Sequence, residues 1–245
     1  MREKEVYNQG LFGFGITDGA TPNAFNWGTD EVFNKLGAGR LSSSDGGVVT
    51  YRWKRCYEII SRANYLLACM DLVDLSEEAK AKYSGETHFL RGLAYSVLAE
   101  TYGGVPIILT DISTEEARSL KRASLEETWQ QALDDYEVAI TNLGVDAPEP
   151  GRATKGAALG MKMQSYLYQG KYKEVLSCVE QIDALKKYGL FHSYEGLFDP
   201  ANENNKEVLF ISNILKARIR KVPILTSIAE RVPEVGPWKP LCPYG

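Results

Sequence analysis

The chain has 245 residues, of which 44% are hydrophobic and 24% charged, and a net charge of -4. That balance fills a sizeable soluble core and allows one large domain or two small ones. It supplies no concentrated basic face for nucleic acid, and no apolar run reaches the ~18 residues of a membrane span.

Residues 1–47 hold nine of the 22 glycines, together with Phe12, Phe14, Phe25, Trp27 and Phe33. Neither a helical nor a strand period persists there. The segment reads as a loop-rich region with a short helix at 29–36. Within it, Phe25, Asn26 and Trp27 lie close to Asp18, Asn23 and Asp30. Aromatic faces cover the C–H face of a pyranose, and amides or carboxylates bridge neighbouring hydroxyls. Asp18, Asn23, Phe25, Asn26 and Trp27 are therefore the candidate ligand-binding residues. The same composition also describes an ordinary Asx-rich loop.

From residue 48 to 71, Trp53, Cys56, Tyr57, Ile60, Ala63, Asn64, Leu67 and Met70 recur at three- and four-residue spacing, one face of a helix. Ser76 then caps a second helix, with Glu77 and Glu78 in its first turn, running to about Tyr102. Its expected buried stripe is Ala79, Tyr83, Glu86, Leu90, Leu93, Val97 and Thr101, widened by Phe89, Ala94 and Leu98. Gly103 is expected to close it in the left-handed conformation, and Val105-Pro106 forces the chain to extend. Ile107, Ile108 and Leu109 then lie extended across the helix pair.

Ser124 and Glu127 form a capping box for a third helix with the stripe Leu125, Trp129, Ala132, Tyr136, Ile140 and Leu143, ended by Gly144. A fourth helix, 154–169, and a fifth, 171–187, are separated only by Gln169-Gly170, a tight helical hairpin. Tyr166, Gly170, Tyr172 and Val175 fall where a tetratricopeptide repeat places its signature residues. Polar residues at 199–206 precede a β-favouring Val208–Ile211. Residues 216–245 carry six Lys/Arg against two Asp/Glu and include five of the ten prolines.

Catalytic motifs are missing: no nucleophile elbow, H-E-x-x-H, phosphate loop or dinucleotide fingerprint occurs. His88 and His192 lack metal-ligand spacing, and no cofactor or metal is implied. Of the cysteines, Cys56 and Cys69 share one helix too far apart to bridge, and the thiols read as small core hydrophobes. The acid pairs Glu77/Glu78, Glu115/Glu116 and Asp134/Asp135 point ~100° apart on a helix and read as solvated faces. Asn64 and Glu86 fall on apolar stripes and need partners, so Asn64, Glu86 and Arg91 are expected to form a hydrogen-bonded clamp between the first two helices.

Four blocks then stand out in order: YRWKRCYEIISRANYLL (51–67), YSGETHFLRGLAYSVLAETYGGVPII (83–108), ATKGAALGMKMQSYLYQGKYKEVL (153–176) and YEGLFDPANENNKEVLF (194–210). Together they resemble the SusD/RagB family of nutrient-binding outer-membrane lipoproteins of Bacteroidetes. The block with Glu86, Phe89, Arg91, Tyr95, Tyr102, Gly103, Gly104, Val105 and Pro106 is the most specific. The resemblance implies a mainly α fold of tetratricopeptide-like helical hairpins with little β. It implies non-catalytic capture of oligosaccharides or peptides at the cell surface, for delivery to a SusC-like TonB-dependent β-barrel transporter. The expected organisation is a SusD-like helical domain at 1–213, loop-rich over 1–47 and a helical scaffold over 48–190, then an irregular tail at 214–245. A signal peptide and lipidation cysteine are not visible in the sequence, which reads as a piece of a longer protein. Two other classes remain open: a soluble tetratricopeptide-like adaptor that binds a protein, and a helical glycan-processing enzyme.

Overall fold

A computed structural model describes residues 21–22, 35–42, 44–46, 48–147, 149, 151–202 and 205–210. The chain divides into two compact units, Met1–Ile211 and Ser212–Gly245. The second unit, which contains the expected tail, lies outside the described residues.

The first unit is a succession of helices: α1 (Val48–Cys69), α2 (Glu77–Tyr102), α3 (Thr114–Ser119), α4 (Leu125–Asn142), α5 (Lys155–Tyr168) and α6 (Tyr172–Ala184). Short 3-10 turns follow α1 at Met70–Leu72 and lie beyond α6 at Glu195–Phe198 and Pro200–Asn202. No β-strand occurs among the described residues. The long helices pack in succession, α1 on α2, α2 on α4, α4 on α5 and α5 on α6, with the short α3 lying between α2 and α4 in the chain. This is the mainly α, hairpin-by-hairpin architecture expected from the sequence. Of the expected helix at 29–36, residues 35 and 36 are helical, and 29–34 lie outside the described residues.

The α1 stripe packs as its spacing dictates, with Cys56, Ile60, Ala63, Asn64 and Met70 buried. In α2 the single-stripe expectation fails. Residues 91 to 99 are all buried, whereas Tyr83 and Leu90 are 40% and 48% exposed. The reason is position: α1 covers one side of α2, α4 another, and α5 touches a third. A helix enclosed on several sides has no single apolar face to betray its orientation. The cluster of Phe89, Ala94, Tyr95, Leu98, Tyr136, Ala139 and Ala157 is the centre of the core.

The helix ends follow local chemistry. Ser76 Oγ accepts from the Ala79 N–H at 3.2 Å. The capping box of α4 is formed, with Ser124 and Glu127 each accepting the other's backbone N–H. An identical box between Ser113 and Glu116 starts α3, a helix the hydrophobic pattern did not reveal. At the end of α2, Gly103 adopts φ +74° and ψ -138°. Its φ is positive as expected, but ψ lies outside the left-handed helical well, in a region that glycine alone enters readily. Gly104 sits so close to the chain before α4 that a Cβ there would lie 2.0 Å from the Ala123 carbonyl oxygen.

The segment Val208–Phe210 has β-favouring residues but no strand partner among the described residues. It packs by side chains instead: Phe210 lies edge-on to Phe89 with centroids 5.1 Å apart, and Leu209 fills the space above Gly160. The thiols of Cys56, Cys69 and Cys178 are free. Burial pushes the Cys56 thiol up to about 12, which keeps it protonated and inert.

Candidate functional site

Asp18, Asn23, Phe25, Asn26 and Trp27 lie outside the described residues. The described residues form a hydrogen-bonded frame around the segment after α2. After Gly104 the chain is extended, and helix side chains hold it where a sheet would normally supply a second strand. The Tyr57 hydroxyl donates to the Pro106 carbonyl at 2.7 Å. Tyr95 both donates to the Ile108 carbonyl at 2.9 Å and accepts from the Ile108 N–H at 2.8 Å. Asn64 Nδ2 donates to the carbonyls of Ile108 at 2.9 Å and Thr110 at 3.3 Å. On the opposite side, Val105 accepts from the Ala123 N–H and donates to Thr128 Oγ1.

Asn64 is itself oriented by charge. Its Oδ1 accepts from Arg91 Nη1 at 2.8 Å, while Arg91 Nε and Nη2 grip Asp135 at 3.0 and 2.7 Å. Asn64, Arg91 and Asp135 are 3%, 6% and 1% exposed, so this is a desolvated, fully paired network. His88 Nδ1 lies 2.7 Å from Asp135 Oδ1. The chain Asp135–Arg91–Asn64–Ile108 thus links four segments of the fold: α4, α2, α1 and the extended segment after α2.

Of the three expected clamp residues, the structure joins Asn64 and Arg91 and sets Glu86 apart. Glu86 pairs bidentately with Arg152, the residue two before the α5 cap, and so ties α2 to the α4–α5 loop. The third member of the clamp is Asp135, which the sequence pattern placed on a solvated face. Asp134 is the solvated one, bonded to Gln130, whereas Asp135 turns inward between Ala132 and Ala139. A carboxylate one helical turn from two core alanines was the available signal.

The A-T-K-G block proves structural in the same way. Thr154 Oγ1 caps α5 by accepting from the Ala157 N–H at 3.1 Å, and its hydroxyl meets the Tyr188 hydroxyl at 3.2 Å. Gly156 leaves room for the Tyr188 ring, which an added Cβ would meet at 2.3 Å. Beside these groups lies a cavity of about 270 Å³ lined by Arg152, Thr154, Lys187, Tyr188 and Lys206. Trp53 lies with its ring centroid about 5 Å from those of Tyr57 and Tyr102, and the Arg122 guanidinium lies over Trp53.

Reactive geometry is not assembled among the described residues. The His88–Asp135 contact has no hydroxyl or thiol in hydrogen-bond reach of the imidazole. Groups of three or more metal-ligating side chains are likewise absent among the described residues. No helix there is long and apolar enough to cross a membrane.

Comparison with known proteins agrees with the architecture. Residues 18–167, more than half of the chain, match the SusD-like family described as starch-binding and associating with the outer membrane. A SusD-like protein of Formosa agariphila is 27% identical over 194 residues, covering 78% of this chain and 36% of the relative. A second, from Bacteroides ovatus, is 27% identical over 64% of this chain and 31% of its own length. The chain therefore spans about a third of these curated relatives. Among solved structures, a SusD-like protein from Bacteroides fragilis superposes with a TM-score of 0.67 at 28% identity over 72% of this chain and 35% of the other. A laminarin-binding SusD-like protein gives 0.62 at 27% identity over 69% and 41%. A SusD-like carbohydrate-binding protein from Bacteroides fragilis shares the fold at a TM-score of 0.73 and 24% identity, over 84% and 44%. With residues 18–167 matching the family's model, the chain belongs to the SusD-like family.

Proposed function

We propose that this chain serves non-catalytic capture of oligosaccharides at the cell surface, for delivery to a TonB-dependent β-barrel transporter of the outer membrane. The observation that carries this reading is the match, in both sequence and fold, to a SusD-like protein that binds laminarin. The described residues support a scaffold role: Glu86, Arg91 and Tyr95 of α2 and Thr154 at the α5 cap are engaged in bonds that hold the fold. In this reading the scaffold presents Trp27, Asn26, Phe25, Asn23 and Asp18 to the sugar, with Trp27 as the stacking surface.

Affinity electrophoresis tests it. The chain is run through gels containing laminarin, starch or another soluble polysaccharide, with a peptide ligand titrated separately. Retardation by at least one glycan supports the reading. Free migration in every glycan, with saturable peptide binding, moves the ligand class to peptides.

A second reading, a tetratricopeptide-like adaptor for a protein, draws on one feature. Tyr172, Leu176 and Val179 recur along α6 and are 66%, 64% and 37% exposed. Such an i, i+4, i+7 stripe fits an amphipathic helix. Capture of a folded protein through α6 by a chain that ignores all glycans would favour this alternative.

A further inference from the structure

The extended segment after α2 leaves a short open edge. In an extended chain the N–H and C=O of one residue point to the same side, and successive residues alternate. Pro106, Ile108 and Thr110 turn their backbone groups inward, where Tyr57, Tyr95 and Asn64 bond them. Val105 faces the other way and is paired with Ala123 and Thr128. Ile107 and Leu109 face that same outer side, and none of their four backbone groups has a hydrogen-bond partner among the described residues. Leu109 is 45% exposed. The edge is closed at both ends, by the Ala123 segment beside Val105 and by the bend at Thr110.

We propose that this edge pairs with the same edge of a second copy of the chain. An antiparallel arrangement about a two-fold axis at Ile108 sets Ile107 opposite Leu109 of the second copy, and Leu109 opposite its Ile107. Both are hydrogen-bonded pairs in that register, so each exchanges two N–H···O=C bonds. Four bonds form, and every free group on both edges is used. The charges also match. Asp111, exposed and in no ion pair among the described residues, leaves the strand beside the second copy's Val105. There the Arg122 guanidinium stands, anchored to the carbonyls of Gly104 and Tyr102 at 2.6 Å each. Symmetry makes that contact twice. An open edge is a template for any extended chain. The second copy is favoured here because register and charge are both self-complementary. The inference is independent of the ligand.

Sedimentation velocity on the full chain, from about 10 µM to about 1 mM, covers the range in which so short an edge associates. Leu109→Pro deletes one outward N–H per copy and removes none of the inward bonds to Pro106, Ile108 and Thr110. A dimer fraction that rises with concentration and falls roughly tenfold in association constant for Leu109→Pro is the expected result. Asp111→Lys should weaken the dimer further at low salt than at high salt. A far-UV spectrum unchanged in both variants confirms that the fold is kept. A monomer at all concentrations overturns the proposal, as does a dimer indifferent to Leu109→Pro. Binding of an unrelated extended peptide by a monomeric chain, lost in Leu109→Pro, would assign the edge to another occupant and also overturn it.

Discussion

Replacing Asp135 by asparagine separates charge from shape at the centre of the clamp. The carboxylate is 1% exposed and accepts from both Arg91 Nε and Nη2, with His88 alongside. Asparagine keeps the volume and one acceptor but leaves a buried guanidinium without its counter-charge. Removing one partner of a buried ion pair costs about 3–5 kcal/mol. The remaining amide oxygen, and the Asn64 bond to Arg91, favour the lower end, about 3 kcal/mol. For a domain of this size that is a fall in Tm of roughly 6–12 °C. The neighbouring Asp134→Asn is the control. Its carboxylate bonds only the exposed Gln130, so its effect should stay within about 0.5 kcal/mol. Urea denaturation followed by far-UV circular dichroism reads both variants. Equal stability of Asp135→Asn and Asp134→Asn would refute the clamp as an energetic centre of the fold.

Gly104→Ala places a Cβ 2.0 Å from a backbone oxygen that cannot rotate away, so a loss of about 3 kcal/mol or more is expected in the same denaturation assay. Tyr95→Phe removes both bonds to Ile108 and leaves its half-buried N–H unpaired, while Asn64 still holds its carbonyl. A loss of about 1–3 kcal/mol is expected, with faster amide exchange at Ile108 than in the parent protein. Glu127 is held below its ordinary value by the Ser124 backbone N–H, then by the Ser124 hydroxyl. A depressed carboxyl stabilises fully above the unfolded value of 4.5 and ceases to do so as pH falls through the folded value. Thermal melts should therefore show Glu127→Gln approaching the parent protein below that window and separating from it above. Trp27→Ala should weaken glycan binding by about 1–3 kcal/mol in calorimetry, by analogy with aromatic stacking on bases, while leaving the melting curve unchanged.

The sequence was most legible where one physical rule acted alone. In α1, with a single buried side, the recurrence of Cys56, Ile60 and Ala63 named the core face. Ser124 and Glu127 announced α4 because a capping box is local chemistry. The same box at Ser113 and Glu116 went unread because the six residues of α3 carry no apolar period to support it. In α2 the pattern misled, since Arg91 and its neighbours up to Ala99 are enclosed on several sides and periodicity loses its contrast. Asp135 was hidden by Asp134, because adjacency in sequence suggested a shared solvated fate that helical geometry does not impose. Val208–Phe210 had strand propensity, but a strand also requires a partner, and aromatic packing on Phe89 won instead. Of the site, the clamp could be approached through Asn64 and Arg91, and Glu86 was drawn into it only because its true partner, Arg152, is distant in sequence. Trp27 and its neighbours remain a reading from residue chemistry.

The chain is expected to bind a glycan without turning it over. The most direct measurement is calorimetric titration of the chain with laminarin oligosaccharides, with reducing ends quantified in the same samples over a day. Saturable heat and a constant number of reducing ends are expected. A rise in reducing ends that scales with protein concentration would make the chain a glycan-processing enzyme and contradict the account.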